Sequence, residues 1–135
     1  MNFKPTTSIL GLLTILLFTG ILPLRGQTTF KNPIITGMNP DPSICRVGDD
    51  FYLVTSTFEY FPGIPVYHSK DLVNWRIIGH ALSRPENCLL KGAQSSGGHY
   101  APAIRYHDGI FYVTCTNYGG EGSQGAFYVT TTDPT

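Results

Sequence analysis

The sequence predicts an all-β protein whose sheets repeat in the manner of propeller blades. The first observation is an internal repeat, in which Asp41-Pro42-Ser43-Ile44 matches Ala101-Pro102-Ala103-Ile104 sixty positions later. The second is that Phe51-Tyr52 and Phe111-Tyr112 match at the same offset. A repeat of this length with about four strands is typical of a propeller blade. A β-sandwich would also contain many short strands, but it does not require the same dipeptides at a fixed offset.

Each unit of the repeat reads as strand, hairpin turn, strand, loop and strand. The turns are Gly48-Asp49-Asp50 in the first unit and Asp108-Gly109 in the second, and Asp-Gly between β-rich runs is a strong hairpin signal. We expect Val66-Tyr67-His68-Ser69 to match Phe127-Tyr128-Val129-Thr130, one residue out of step. A fourth strand is expected in the first unit at Arg76-Ile77-Ile78. The sequence thus holds one full blade and about three strands of the next.

Composition and charge argue against several classes of partner. Aromatic residues make up 13% of the chain and charged residues 13%, with a formal net charge of zero. A balanced, weakly charged chain has no electrostatic footprint for nucleic acid or for an anionic membrane, so neither is expected as a partner. The 8 Tyr, 8 Phe and 15 Gly suit short strands joined by tight turns better than long helices.

The first 26 residues are typical of a secretory signal peptide. Lys4 gives a basic start, and the run from Ile9 to Leu22 is almost wholly apolar. That run is shorter than the roughly 20 residues that a membrane-spanning helix needs, and the small and polar residues near Gly26 suit a cleavage site. An N-terminal membrane anchor is the alternative. Cleavage would leave residues 27–135 as a periplasmic or secreted domain without a membrane span.

The cysteine and histidine residues indicate no metal site. The chain has 3 cysteines, Cys45, Cys88 and Cys115, and an odd number leaves at least one unpaired. Cys45 and Cys115 lie in strand-like runs and are expected as small buried residues. The histidines lack ligand spacing such as that of the HExxH zinc motif. We expect all four at the surface or in turns: His68, His80, His99 and His107.

The segment around Asp41 is the strongest candidate for chemistry. Asp41 lies between Pro40 and Pro42; a residue before proline is driven out of the helical region, and the φ angle of proline itself is fixed. We therefore expect a stiff, extended stretch that holds one carboxylate in place, as a catalytic group requires. The equivalent residue in the second unit is Ala101, so a blade does not need an acid there. The alternative is an aspartate that only stabilises a turn in its own backbone.

Several motifs in order resemble the start of glycoside hydrolase family 43. They are Asn32-Pro33, Asn39-Pro40-Asp41-Pro42-Ser43-Ile44, Gly48-Asp49-Asp50-Phe51-Tyr52, Ser56-Thr57-Phe58-Glu59-Tyr60-Phe61-Pro62-Gly63, His68-Ser69-Lys70-Asp71-Leu72-Val73-Asn74-Trp75 and Ser96-Gly97-Gly98-His99-Tyr100-Ala101-Pro102. The pattern is most similar to the β-xylosidase and α-L-arabinofuranosidase branches. The resemblance implies a five-bladed β-propeller, with residues 27–135 forming the first blade and part of the second. It also implies a substrate in plant hemicellulose, a xylo- or arabino-oligosaccharide.

The resemblance further implies an inverting mechanism with three carboxylates. Asp41 stands at the motif position of the general base. The aspartate that raises the pKa of the acid, and the glutamate that acts as general acid, belong to later blades, so residues 1–135 alone are expected to be inactive. No cofactor is implied, apart from calcium that some relatives bind through ligands that would follow Thr135. The alternative function is a non-catalytic carbohydrate-binding propeller.

Two aromatic residues are candidate sugar contacts. By the resemblance, Phe58 packs on the sugar beside the base, and Tyr100 forms the pocket wall. A flat aromatic face suits the apolar face of a sugar ring and excludes water; ordinary propeller core is the alternative for both. We take Trp75 as a core residue and Asp71 as the residue that fixes the preceding turn. Glu59 lies beside the aromatic residues, but the general acid of the family lies much later.

Overall fold

The computed structural model describes residues 29–120 and 125–135, and the expected signal peptide lies outside them. Antiparallel strands dominate the described residues, with a single-turn helix between the fourth and fifth strands. In chain order the elements are β1 (Ser43–Val47), β2 (Asp50–Val54), β3 (Gly63–Ser69), β4 (Arg76–Leu82), α1 (Pro85–Cys88), β5 (Gly98–His107), β6 (Ile110–Tyr118) and β7 (Gly125–Thr131).

The strands form two sheets in which neighbours in sequence are also neighbours in space. The first sheet has the order β1-β2-β3-β4 and the second has the order β5-β6-β7. Every strand pair is antiparallel, and β1 lies against β5 of the other sheet. The repeat predicted this division, with four strands in the first unit and three in the second. The expected fourth strand at Arg76 is therefore confirmed.

Two-residue turns join the first two strands of each sheet. Gly48-Asp49 connects β1 to β2, and Asp108-Gly109 connects β5 to β6. Gly48 alone has a positive φ in the first turn, at 60°, which is the pattern of type II′. Asp108 and Gly109 have φ angles of 47° and 81°, the pattern of type I′. Both turn types match the twist of the strands that they join, and the predicted hairpins are confirmed.

The third strands of the two units match at a different offset from the one expected. Phe51 pairs with Ser69 in the first sheet, and its repeat equivalent Phe111 pairs with Thr131 in the second. Ser69 therefore corresponds to Thr131, and the expected match to Thr130 is wrong by one position. The reason is that the chain between the paired residues is two residues longer in the second unit.

The hydrophobic core lies between the two sheets. Its buried members come from both sheets and from α1: Val54, Ile64, Val66, Leu82, Cys88, Ile104, Phe111, Val113 and Cys115. Tyr52 of the first sheet packs edge-on against Phe111 of the second, with ring centroids 4.8 Å apart. Burial of apolar surface contributes about 25 cal/mol per Å², so each sheet stabilises the other by covering a face that water would otherwise reach.

Asp71 organises the turn between β3 and β4, as the sequence predicts. Its carboxylate accepts hydrogen bonds from the Val73 and Asn74 amides at 2.9 and 2.7 Å, and from the Asn74 side chain at 2.7 Å. These donors, the Asn74 amide first, hold the pKa of Asp71 well below its usual range. Trp75 is only half-buried, and its Nε1 donates to the Leu72 carbonyl at 2.9 Å. The expected core position of Trp75 is therefore wrong, because its indole closes the turn.

The expectation that the histidines lie at the surface or in turns is wrong for His99, and His68 and His80 are half-buried residues of β3 and β4. His107 lies exposed at the β5–β6 turn, whereas His99 is only 1% exposed. Because β5 begins at Gly98, His99 is a strand residue, and its ring lies in the core with Nε2 2.8 Å from the Cys88 carbonyl oxygen. Burial lowers the pKa of His99, which keeps the ring neutral, and Nε2 donates this hydrogen bond. The three cysteines are free thiols.

We predict that Asp71→Ala lowers the thermal stability of the complete protein at pH 7. The folded-state pKa of Asp71 is depressed, so its stabilisation is present above the unfolded-state pKa of about 3.9. That stabilisation is lost as the pH falls through the folded-state pKa. The difference in Tm between wild type and variant should thus be full at pH 7 and should shrink below about pH 4. Calorimetry at pH 7, 5 and 3 measures it.

Asp49→Ala is the matched control for this prediction. Asp49 is an exposed turn residue whose carboxylate lies 3.4 Å from an exposed Arg46 guanidinium, and exposed ion pairs contribute little. Its Tm should stay close to that of wild type at all three pH values. An Asp71→Ala deficit of equal size at pH 7 and pH 3 would contradict the assigned role of the carboxylate.

Candidate active site

Asp41 lies two residues before β1, and its side chain is exposed to solvent. Its φ angle is 52°, so the backbone is left-handed and the expected extended conformation is wrong. Such a conformation costs a residue other than glycine about 1–2 kcal/mol. A hydrogen bond to a charged group stabilises by roughly 1.5–3 kcal/mol, which is enough to offset that cost. The contacts around Asp41 supply such a bond.

Three hydrogen bonds from Ser56 and Tyr67 hold the Asn39-Pro40-Asp41 segment. The Ser56 hydroxyl donates to Asp41 Oδ2 at 2.6 Å, and the Ser56 amide donates to the Pro40 carbonyl at 3.0 Å. The Tyr67 hydroxyl donates to Asn39 Oδ1 at 2.6 Å. Burial raises the pKa of Tyr67, which keeps its hydroxyl protonated and able to donate. These bonds, rather than the prolines alone, set the direction of the Asp41 carboxylate.

The second unit repeats this backbone geometry without the acid. Ala101, the repeat equivalent of Asp41, has a φ angle of 42°, so both units hold a left-handed residue at this point. The Ala101 amide donates to Ser56 Oγ at 2.7 Å. One hydroxyl therefore contacts both equivalent residues. The repeated fold accounts for the conformation of Asp41, whereas the carboxylate is not needed to build the second unit.

The structure brings the two predicted aromatic residues together. Phe58 and His99 exchange backbone hydrogen bonds at 3.0 Å, which form an isolated bridge between the loop after β2 and strand β5. Phe58 packs edge-on against Tyr100, with ring centroids 5.1 Å apart and an interplanar angle of 71°. Both side chains are half-buried, so neither is fully buried core. Because Tyr100 precedes Ala101, this aromatic pair lies next to the hydrogen bond between Ser56 and Asp41.

Sequence reasoning missed Ser56 and Tyr118. Ser56 could have been found from the hairpin, because extending the Ser43–Val54 register by two residues sets Asp41 opposite Ser56. Tyr118 ends β6 and is 69% exposed, with its ring centroid 6.4 Å from that of Tyr100. It extends the aromatic pair into an aromatic wall of Phe58, Tyr100 and Tyr118. No local signal marks Tyr118, since the contact depends on how β6 pairs with β5.

The acidic residues Glu59 and Asp50 have structural partners. Glu59 Oε2 accepts a hydrogen bond from the Ser96 amide at 3.0 Å, which joins the loop after β2 to the segment before β5. Asp50 binds Lys70 and His68, and the hydrogen bond from Lys70, followed by that from His68, lowers the pKa of Asp50. The general acid thus stays unassigned within residues 29–120 and 125–135.

The residues that the structure describes contain neither a cluster of metal ligands nor a membrane-spanning helix. Over residues 29–120 and 125–135, no group of three or more His, Cys, Asp or Glu side chains could hold a metal ion. Across the same part of the chain, no helix combines the length and the apolar character needed to cross a membrane. Calcium in the whole protein stays a prediction, because its expected ligands would follow Thr135.

Comparison with known proteins identifies the family. The model of glycosyl hydrolases family 43 matches residues 30–135, and the chain belongs to that family. Over 109 residues it is 78% identical to a non-reducing end α-L-arabinofuranosidase of Bacteroides ovatus, covering 80% of this chain and 21% of the relative. It is 52% identical over 110 residues to a xylan 1,3-β-xylosidase of a Vibrio species, covering 78% and 21%. The chain thus spans about a fifth of the length of these curated relatives.

Solved structures of the family share the fold of this chain. The structure described as Bacteroides ovatus xyloglucan PUL GH43B superposes with a TM-score of 0.77 at 78% identity, over 79% of this chain and 21% of that one. A xylan β-1,4-xylosidase of Bacillus halodurans C-125 superposes with a TM-score of 0.71 at 44% identity, over 78% and 21%. The predicted all-β propeller class is confirmed, with this chain forming part of that fold. The count of five blades stays a prediction.

We predict that Gly98→Ala strongly destabilises the complete protein and displaces Phe58. Gly98 has a φ angle of 95°, and a Cβ there would overlap the Phe58 carbonyl, lying 2.6 Å from its carbon. Because that carbonyl belongs to the backbone bridge with His99, it cannot move without breaking the bridge. The expected loss of unfolding free energy is roughly 3 kcal/mol or more, measured by urea denaturation.

Gly109→Ala is the matched control, since Gly109 also has a positive φ, of 81°, but no atom lies within 4 Å of the added Cβ. It should lose only about 1–2 kcal/mol, the cost of the left-handed backbone. Equal losses for the two variants would show that the close approach at Gly98 does not hold the aromatic wall.

Proposed function

We propose that the whole protein is an inverting glycosidase that releases arabinose or xylose from hemicellulose oligosaccharides, with Asp41 as its general base. The observation that carries the proposal is the position of Asp41. Its carboxylate is exposed, yet it is held at 2.6 Å by the buried Ser56 hydroxyl. It also lies beside an aromatic wall that remains open to solvent.

The comparisons support the substrate class. The two relatives are named for an arabinofuranosyl and for a xylosyl bond, and both sugars are pentoses. The relative named for α-L-arabinofuranoside has the higher identity of the two. We therefore expect an aryl α-L-arabinofuranoside to be the better substrate and an aryl β-D-xyloside the weaker one.

The chemistry assigns one task to Asp41. In an inverting glycosidase the base removes a proton from a water on one face of the sugar, while an acid protonates the leaving oxygen on the other face. The two carboxyl groups stand about 6.5–9.5 Å apart to admit that water. Asp41 would supply the base, and the accessible faces of the half-buried Phe58 and Tyr100 would pack on the apolar side of the pentose. The acid would come from a later blade.

We also propose that the protein is exported, with residues 1–26 removed as a signal peptide. The enzyme would then meet oligosaccharides in the periplasm or outside the cell. Within the proposal no cofactor takes part in the reaction, and calcium, where bound, would be held by residues after Thr135. The xylo- or arabino-oligosaccharide is the only partner that the proposal requires.

We predict that Asp41→Asn lowers kcat of the whole protein on aryl pentosides by at least about a hundredfold, the scale of lost acid–base catalysis. The amide keeps the size of the side chain and an acceptor for Ser56, so the fold should persist. Glu59→Gln is the matched control, because the Glu59 carboxylate accepts a hydrogen bond from the Ser96 amide and has no assigned role in the reaction. This variant should keep kcat within about twofold of wild type. Steady-state kinetics with both aryl pentosides measures these values.

Wild-type turnover in Asp41→Asn would contradict the assignment of Asp41 as base. A wild-type protein that binds xylo- or arabino-oligosaccharides but cleaves neither aryl pentoside would instead support the alternative, a non-catalytic carbohydrate-binding propeller. Calorimetric titration of the oligosaccharides separates this outcome from simple loss of folding.

We predict that Phe58→Ala impairs turnover of pentosides while Tm changes little. Phe58 is half-buried and lies outside the hydrophobic core between the sheets, so its loss removes aromatic surface from the proposed sugar contact and leaves that core intact. Phe61→Ala is the comparison, since Phe61 is 49% exposed and has no assigned role in the aromatic wall. If Phe58→Ala acts only by unfolding the protein, Phe58 is a core residue and the sugar contact is wrong.

A further inference from the structure

We infer that Ser56 is a positioning residue for Asp41, and that it links the direction of the Asp41 carboxylate to the second sheet. The inference rests on the proposed role of Asp41 as general base. It concerns a residue that the sequence did not single out, and it follows from the hydrogen bonds that converge on one hydroxyl group.

The direction of each hydrogen bond at Ser56 Oγ is fixed. A serine hydroxyl has one proton to donate and two lone pairs that accept. The Ala101 amide is only a donor, so its 2.7 Å bond uses one lone pair of Oγ. The single hydroxyl proton is thereby free to point at Asp41 Oδ2, 2.6 Å away, and an ionised carboxylate can only accept.

Ser56 is itself held in place. Its side chain is buried, with 2% of the residue exposed, and its amide donates to the Pro40 carbonyl at 3.0 Å. Ser56 thus contacts both the backbone before Asp41 and the carboxylate of Asp41. An exposed carboxylate would otherwise rotate about its side-chain bonds, and a general base must stay within hydrogen-bond reach of one water. The Ser56 bond restricts that rotation.

The same hydroxyl joins the base to the aromatic wall. Ala101 follows Tyr100 directly in β5, and Tyr100 packs on Phe58. A shift of β5 relative to the first sheet would move the Ala101 amide, and with it the hydroxyl that holds Asp41. The base and the proposed sugar contacts are therefore positioned by one arrangement of the two sheets.

The chain offers a control for a purely structural role. Ser43 Oγ accepts a hydrogen bond from the Ile104 amide at 3.2 Å, so it also joins the first unit to β5. Ser43 is the first residue of β1 and lies two residues after Asp41 in the sequence. The difference is that Ser56 Oγ in addition donates to the Asp41 carboxylate. Ser43→Ala and Ser56→Ala thus each remove one bond between the sheets, and Ser56→Ala alone removes the bond to the base.

The test compares Ser56→Ala, Ser56→Thr and Ser43→Ala in the whole protein with an aryl α-L-arabinofuranoside and an aryl β-D-xyloside. We expect Ser56→Ala to lower kcat by about ten- to a hundredfold, the scale of a misplaced catalytic group, with KM within about twofold of wild type. Ser56→Thr keeps the hydroxyl, and the second unit carries Thr116 at the equivalent position. We expect it to retain kcat within about threefold.

Ser43→Ala should retain wild-type kcat while its Tm falls by an amount similar to that of Ser56→Ala. If both alanine variants lose kcat in proportion to the fall in their Tm, the inference is overturned, because both bonds would then act only through stability. Wild-type kcat in Ser56→Ala beside an inactive Asp41→Asn would overturn it as well, while leaving Asp41 as the base.

Crystal structures of the wild-type protein and of Ser56→Ala keep the test independent of activity. If the wild-type protein cleaves neither pentoside, the proposed function fails, and the positions of Asp41 in the two structures decide the inference. A carboxylate rotated away from its wild-type position supports the role of Ser56, and an unchanged carboxylate overturns it.

Discussion

The packing of β1 against β5 is the constraint on which the site depends. Apolar contacts between the two sheets are non-directional, so they do not by themselves fix the position of one sheet along the other. Ser56 supplies the directional contact at the site, since its hydroxyl accepts the Ala101 amide at 2.7 Å. The bond of the Ser43 hydroxyl to the Ile104 amide, at 3.2 Å, adds to the stability of the same packing. With the sheets in this position, the Asp41 carboxylate meets its hydrogen-bond donor and lies beside the aromatic wall.

Left-handed residues other than glycine gather at this contact between the sheets. Asp41, Phe58 and Ala101 have φ angles of 52°, 50° and 42°, and each such residue costs of order 1–3 kcal/mol unless its surroundings hold it. Strain of this kind clusters at functional sites. Here the hydrogen bonds of Ser56 hold Asp41 and Ala101 in this conformation, and the backbone bridge to His99 holds Phe58. The presence of alanine at one of these positions separates the backbone geometry, which the repeat shares, from the acid, which only the first unit carries.

Local patterns in the sequence predicted the strands, the hairpin turns and Asp71 as the residue that fixes its turn. They did so because two units with matching motifs fold alike and a tight turn needs particular residues at particular positions. The predictions that were wrong concern features that depend on contacts between residues distant in the sequence. The left-handed backbone of Asp41 depends on hydrogen bonds to Ser56, fifteen residues later in the chain, and the burial of His99 follows from the packing of β5 against the first unit. Ser56 could have been predicted from the sequence, because the hairpin register alone sets it opposite Asp41.

The most direct test of Asp41 as general base is chemical rescue of Asp41→Ala with azide. Ala101 shows that alanine is compatible with this backbone conformation, so the variant should fold and leave a space where the carboxylate stood. Azide should enter that space, attack the anomeric carbon as the bond to the aryl oxygen breaks, and restore turnover of an aryl pentoside. NMR of the product should show a glycosyl azide with the anomeric configuration opposite to that of the substrate. Wild-type hydrolysis by Asp41→Ala without azide, or a glycosyl azide of retained configuration, would contradict the assignment.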